Sequence, residues 1–511
     1  MSWAEEPTRP PRVAWRMYRR FALGLLIVFL STTGAVSTAA LLELKDASDI
    51  FSEATTGLAG FGGEEAEPGL LDDVDPGGPQ TIMLLGSDRR YADIKAKNPV
   101  RSDTIILIRL DPSKGATAIM SLPRDLRVQI PGRGTAKINE AYALGGPPLT
   151  VKTVRGLLQT STDPFPINHV VNVNFGGFTA AVDRLGCVYT DIDTRYYNDN
   201  SGPGEDYAEI DIPAGYQRLC GEDALAFVRY RHTDNDIVRA ARQQDFLRQA
   251  KDQIGLGRLV DDRNELIRIF GRYTETDIRG TTAILRLIKL VLESAKNPVQ
   301  EVSFDLTDIG EDGNDLIISE ENLRKAAREF MNAEGSKGPR GAAKASKQDR
   351  SRARSQRRKR SRRIPAGLFE ARRVAEDKAA LLDTKVPFPV YYPRLAKTGS
   401  RYAERSNRAY DIYDRGRRKY RAYRMVVSAP GPGQYYGIQG MSWKTPPLLD
   451  DPTYTREYDG RKLEFFRDGD RTRLIAWRTD RGVYWVSNTL LQSLSNAQML
   501  GIARSLTRVG A

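Results

Sequence analysis

Thr81-Ile-Met-Leu-Leu85 is a short apolar run that ends in Gly86-Ser-Asp88. That pattern predicts a buried strand followed by a turn. Two runs of the same kind follow: Thr104-Ile-Ile-Leu-Ile-Arg-Leu110, closed by Asp111-Pro112, and Ala116-Thr-Ala-Ile-Met-Ser-Leu122, closed by Pro123. Strand-like stretches recur at His169 to Val173 and Cys187 to Ile192, and helical patterns at Val151 to Leu158 and Phe175 to Leu185 fall between strands. Two more helical patterns, Asp236 to Ile254 and Thr281 to Ser294, carry this unit to about residue 333. Strands apolar throughout need cover on both faces, so the expectation for residues 80–333 is an α/β domain.

At 511 residues the chain is too long for one ordinary domain. Its net charge of +13 is unevenly spread: residues 337–363 hold thirteen Lys or Arg against the single acid Asp349, leaving about +1 for the rest. The basic pI therefore describes one segment and is no sign of a nucleic-acid-binding fold. Residues 334–386 are expected to form a disordered basic linker, because like charges repel and little there can be buried. That linker suits electrostatic association with anionic polymer or lipid headgroups, or serves as a solvated spacer. Beyond it, residues 387–511 are expected to form a small α+β domain. Its strands are predicted at Tyr420 to Ser428, Gln434 to Met441, Lys462 to Phe466, Thr472 to Trp477 and Val483 to Ser487, with a final helix at Leu490 to Leu506.

The N-terminus points to export. Phe21 to Leu42 carries no charge, and its 22 residues would span roughly 33 Å as a helix. Arginines precede it and an acidic, Gly-rich stretch follows, so the positive-inside rule keeps residues 1–20 in the cytoplasm. The expectation is a single-pass membrane protein: a transmembrane helix at 21–42, a flexible stalk at 43–79, and the bulk of the chain outside. A cleaved signal peptide with a site at Ala35-Val-Ser37 is the alternative. Outside the cytoplasm, Cys187 and Cys220 are expected to form a disulfide closing a 34-residue loop, worth about 3–4 kcal/mol. In a reducing compartment they would be buried thiols.

Charged residues of the first domain gather at the ends of strands, where they can converge on a ligand. Asp88 follows the first strand, Arg101-Ser-Asp103 precedes the second, and Arg124-Asp125 follows the third. Lys137-Ile-Asn139 sits in the next loop. The densest cluster is Val228-Arg-Tyr-Arg-His-Thr-Asp-Asn-Asp236. Arg229 and Arg231 are read as two apart on an extended segment, and so on one face. Asp236 then opens a helix that presents Arg239, Arg242 and Gln243 at spacings of three and four. Arginine's planar fork binds two phosphate oxygens at once. Asp88 and Asp103 would repel each other unless a cation lay between them, and hard divalent ions such as Mg²⁺ favour carboxylates with phosphate oxygens. Together these outline a pyrophosphate clamp. No histidine pattern, Walker loop or nucleophile elbow competes with it.

Gly86-Ser-Asp88, Arg101-Ser-Asp103, Leu122-Pro-Arg-Asp125, Lys137-Ile-Asn139-Glu-Ala-Tyr142 and Val228 to Asp236 resemble the LytR-CpsA-Psr family in order and spacing, over about residues 80–255. The resemblance implies a central mixed sheet flanked by helices. It also implies an enzyme that transfers a glycopolymer phosphate from a polyprenyl-pyrophosphate lipid to peptidoglycan. By position, Asp88 and Asp103 would hold Mg²⁺, and Arg101, Arg124, Arg229, Arg231 and Arg239 would bind the pyrophosphate. Lys137, Asp236, Arg242 and Gln243 would line the same site. Val238 stands where many members have Gly. A non-catalytic scaffold that binds polyprenyl phosphate is the alternative reading.

Overall fold

The computed structural model describes residues 69–74, 77–87, 102–159, 164–201, 209–230, 236–253, 263–278, 290, 294, 297, 299–305, 308–312, 315–333, 364–468 and 471–510. Among the described residues the strands of the first domain are β1 (Gln80–Ser87), β2 (Ser102–Asp111), β3 (Ala116–Leu122), β4 (Arg127–Ile130), β5 (Gly134–Lys137), β6 (His169–Asn174), β7 (Val188–Ile192), β8 (Tyr196–Asn198), β9 (Ile210–Ile212), β10 (Gly215–Leu219), β11 (Thr274–Thr276), β12 (Val299–Val302), β13 (Ile309–Asp312) and β14 (Asp315–Ile318). Six of them form a mixed sheet in the order β11-β6-β1-β2-β3-β12. β1 runs antiparallel to β2 and parallel to β6. The α/β expectation therefore holds, and the three apolar runs occupy the middle of the sheet.

One face of the sheet packs Met83, Leu85, Ile105, Leu107 and Met120 against the helices Ile138–Leu158 and Glu320–Met331. The other face receives the helix Asp236–Gln253, whose Gln243 reaches Thr104 and Ser121. The Ile138–Leu158 helix begins well before the expected Val151. Its Gly145-Gly146-Pro147-Pro148 stretch reads as a loop, but two helical segments meet there across a kink, with Gly146 at φ 62°. Proline is tolerated in a first helical turn, so the second segment starts directly.

The membrane location is corrected. Among the described residues no helix is long and apolar enough to cross a membrane. The span expected at 21–42 lies outside the described residues, as does most of the helix expected at Thr281 to Ser294. Within the stretch expected as a stalk, 43–79, the described residues 69–74 are packed against the domain. Leu70 and Leu71 pack on the core, and Asp72 takes the N–H of Ile167 on Oδ2 at 2.8 Å while ion-pairing with Arg155.

The C-terminal unit starts at 364, ahead of the expected 387, with a strand at Leu368–Glu370 and a helix at Arg372–Asp383. Ala375, Ala379 and Leu382 recur at spacings of four and three, and that stripe is buried. An antiparallel sheet follows, with Lys419–Ser428, Tyr435–Met441, Val483–Ser487, Arg471–Arg478 and Arg461–Asp468 side by side. All five expected strands are present. The final helix is shorter than expected, Asn496–Ser505, and is started by a capping box at Ser495 and Gln498. One face of this sheet packs on its own two helices. The other meets the β7–β10 pair of the first domain through Tyr189, Tyr216, Trp443 and Trp485. The two units thus share a continuous aromatic core.

Candidate functional site

Sheet register brings the expected clusters to one edge. Ser87, at the end of β1, lies opposite both Ser102 at the start of β2 and Asn174 at the end of β6. Leu122, at the end of β3, lies opposite Ile105. Segments that follow β1 and β3, and the one that precedes β2, therefore leave the sheet at the same end. The pairing shifts between Gly86 and Ser87, so that Asp103 is the extra residue of a bulge in β2. Bulges of this kind sit beside active sites because they re-aim one residue of a strand. Gly86 is required there: a Cβ on it would stand 2.9 Å from the Thr104 Cβ. Asp88, Arg101 and Arg231 lie outside the described residues.

Arg124 leaves β3 two residues beyond its end, and its side chain is 12% exposed, with Nε 3.5 Å from Asp125. Its carbonyl accepts the N–H of Asn139 at 3.3 Å, which ties the Arg124 loop to the Lys137 segment. The Lys137 ammonium stands 3.1 Å from Asp125 and 3.8 Å from Asp315. Lys137 therefore belongs to an ion-pair group that braces the Arg124 loop, a role its sequence position did not reveal.

Arg229 departs from expectation. It is the last residue of a helix, Gly221–Arg229, and the chain turns extended only at Tyr230, with φ −51° and ψ 136°. Acids in the first turn and buried Ala224, Leu225, Phe227 and Val228 favour that helix. The period-two argument that paired Arg229 with Arg231 fails for this reason. The Arg229 guanidinium instead lies over the Phe175 ring, 3.9 Å from its centroid. Phe175 starts a helix directly after β6, so the stack places Arg229 at the same sheet edge.

Helix ends leave carbonyls without partners, and two of the expected site residues supply donors to this one. Arg242 is fully buried and donates through Nη1 to the carbonyls of Tyr230 at 2.9 Å and Phe227 at 3.3 Å. Its guanidinium lies over the Tyr196 ring at 4.3 Å. Gln243 donates to the Val228 carbonyl at 3.2 Å and to Thr104 Oγ1 at 3.1 Å. These two side chains position Arg229 relative to β2. Arg239, one turn earlier on the same helix, is 4% exposed, and Val238 is buried, a core position. Asp236 opens the helix as expected.

The start of the Arg229 helix is fixed too. Cys187 and Cys220 form the expected disulfide, with Cα atoms 4.5 Å apart, and Cys220 is the residue before the helix. Gly221 donates its N–H to Asp183 at 2.8 Å. Among the described residues, Asp183 with these two cysteines is the one group with metal-ligand spacing. The disulfide ties up both of its sulfurs, so that group offers no thiolate ligands. His169 pairs through Nδ1 with Asp277 at 2.8 Å.

Of the donor set expected for Mg²⁺, Asp88 lies outside the described residues and Asp103 is placed by its backbone. Asp88 directly follows Ser87, Asp103 is the bulge residue beside Ser102, and both offer hard oxygen ligands. Sequence reasoning missed Phe175, Tyr196 and Phe227, the aromatic surfaces under Arg229 and Arg242. Aromatics in apolar runs carry no mark that separates a cation platform from core.

The LytR_cpsA_psr family model matches residues 55–332. The polyisoprenyl-teichoic acid–peptidoglycan teichoic acid transferase TagT of Bacillus subtilis is 32% identical over 230 residues, 44% of this chain and 66% of that protein. The transferase TagU of Halalkalibacterium halodurans is 31% identical over 210 residues, 40% of this chain and 64% of that protein. The chain thus spans a little under two thirds of the length of these relatives. Among solved structures, B. subtilis TagV is similar at 27% identity and a TM-score of 0.39, over 50% of this chain and 96% of that one.

Proposed function

The chain belongs to the LytR_cpsA_psr family, and on that premise we propose that it is a phosphotransferase moving a glycopolymer phosphate from a polyprenyl-pyrophosphate carrier to peptidoglycan. The observation that carries this reading is the convergence at one sheet edge of Arg124, Arg229 and the bulge at Asp103. The names of the relatives, transferases of polyisoprenyl-linked teichoic acid, support the same class.

A peptidoglycan sugar hydroxyl attacks the phosphorus nearest the glycan. A new P–O bond forms, the bond to the bridging oxygen breaks, the lipid phosphate leaves with the bonding electron pair, and the hydroxyl proton passes to a carboxylate or to solvent. Arg124, Arg229 and Arg239, with Arg101 and Arg231, would bind the pyrophosphate oxygens and neutralise the charge spread over the transferring group. Held by Asp88 and Asp103, Mg²⁺ would supply further neutralisation of that charge. Arg242 and Gln243 hold the end of the Arg229 helix, and Lys137 braces the Arg124 loop.

The test is transfer of a lipid-pyrophosphate-linked glycan to peptidoglycan by the full chain, with Mg²⁺ and with a chelator. Arg229→Ala and Asp103→Asn should lower turnover on the order of a hundredfold or more. Full turnover in Arg229→Ala would refute the assignment. Turnover that survives chelation would remove the metal from it. Carrier binding without transfer would leave the scaffold reading instead.

A further inference from the structure

The outermost residues of the Arg229 frame belong to the C-terminal unit. Arg424, on the strand Lys419–Ser428, is fully buried and donates through Nη1 to Asp191 Oδ1 at 2.9 Å. Trp485 donates its indole N–H to the other oxygen of Asp191 at 3.4 Å. Room for the guanidinium is made by Gly437 on the neighbouring strand, where a Cβ would stand 2.0 Å from Arg424 Cζ.

Asp191 lies in β7, and the helix Asp236–Gln253 is bonded to that strand. Gln249 accepts the Asp191 N–H at 3.2 Å. Gln253 accepts the Tyr189 N–H at 2.8 Å and donates to the Tyr189 carbonyl at 2.6 Å. Arg242, Phe246, Gln249 and Gln253 fall at spacings of four, three and four, one stripe of that helix. Two residues beyond Asp191, Asp193 accepts the Tyr196 hydroxyl at 2.5 Å, and Tyr196 is the ring beneath Arg242. A chain of directed contacts therefore runs from Arg424 to the carbonyls that end the Arg229 helix.

The stacked rings around Tyr189 and Tyr216 supply adhesion, and hydrogen bonds from the Tyr189 hydroxyl to the Tyr413 carbonyl and from the Tyr410 hydroxyl to the Tyr216 carbonyl add direction on that side of the junction. A buried ion pair adds little net stability over an apolar pair, whereas its geometry is specific. We propose that Arg424 is a positioning residue for phosphotransfer, acting through Asp191 and the Asp236–Gln253 helix on Arg239, Arg242 and Gln243. The C-terminal unit is then part of the catalytic apparatus. This rests on the proposed transferase reading for its functional half; its structural half stands apart.

The experiment uses the full chain as wild type, Arg424→Met, Arg424→Lys and the double variant Asp191→Asn/Arg424→Met, which leaves no unpaired charge buried. Amide hydrogen exchange across 221–253 and the affinity for inorganic pyrophosphate with Mg²⁺ are measured, with melting temperature as the control for folding. Arg424→Met should speed exchange across 221–253 and weaken pyrophosphate binding on the order of tenfold or more. Arg424→Lys should recover most of both. The double variant should melt near wild type and still bind weakly. The proposal is overturned if the double variant melts like wild type, keeps wild-type exchange across 221–253 and binds pyrophosphate equally well. If the wild type fails to bind pyrophosphate, the transferase reading falls, and the exchange data alone decide whether Arg424 orders the helix.

Discussion

The guanidinium of Arg229 lies 3.9 Å from the centroid of the Phe175 ring. The ring quadrupole attracts a cation over its face and so helps to fix where the guanidinium stands. An arginine whose work is to meet phosphate gains from such a support. Phe175→Leu keeps the apolar volume and removes the ring face. It should weaken pyrophosphate binding about three- to tenfold, the size of one cation–π contact, with little change in melting temperature. Arg229→Lys should rescue poorly because the planar fork is lost. Titration calorimetry with pyrophosphate checks both.

Gln243 joins the end of one helix to β2 through Val228 and Thr104. Replacing it by Leu leaves the Val228 carbonyl buried without this donor. The expected cost is about 1–3 kcal/mol of stability, seen as a lower urea midpoint, together with reduced turnover.

Reduction of Cys187–Cys220 releases the start of the Arg229 helix. With a sequence separation of 33, the cross-link should contribute about 3–4 kcal/mol on the chain-entropy account. Thermal melts with and without reductant should show that loss, and Cys187→Ala/Cys220→Ala should behave like the reduced protein.

Asp468 lies at the junction of the two units, where burial and the nearby Glu301 raise its pKa from 3.8 to about 7. The folded carboxyl therefore holds its proton more tightly than the unfolded one. Between those two values the folded state binds more protons, so this group's contribution to stability falls as pH rises through that window. Asp468→Asn should flatten that decline and melt higher than wild type at pH 8, with the difference shrinking toward pH 4. A wild-type advantage at pH 8 would contradict the sign.

Much of this fold was legible because apolar runs that cannot face water leave few choices. The strands at Thr81, Thr104 and Ala116 and the five C-terminal strands were readable on that ground. Three features escaped. The Arg229 helix was missed because an arginine-rich segment beside a turn reads as extended, while its apolar stripe is short. The helix over 372–383 was missed because charge dominates its composition and only three small or apolar residues mark its buried side. The work of Arg242, Gln243 and Lys137 was hidden because spacing reports which side chains share a face, and never whether a carbonyl or a carboxylate waits there.

Gly437 carries the last consequence. The Arg424 guanidinium fits only because that position has no Cβ. A C-terminal unit grafted from a relative would have to bring both the arginine and the glycine, and the recipient an aspartate at 191. A single added methyl group at 437 would make such a chimera incompatible. Recombination that separates Arg424, Gly437 and Asp191 should therefore yield units that no longer fit each other.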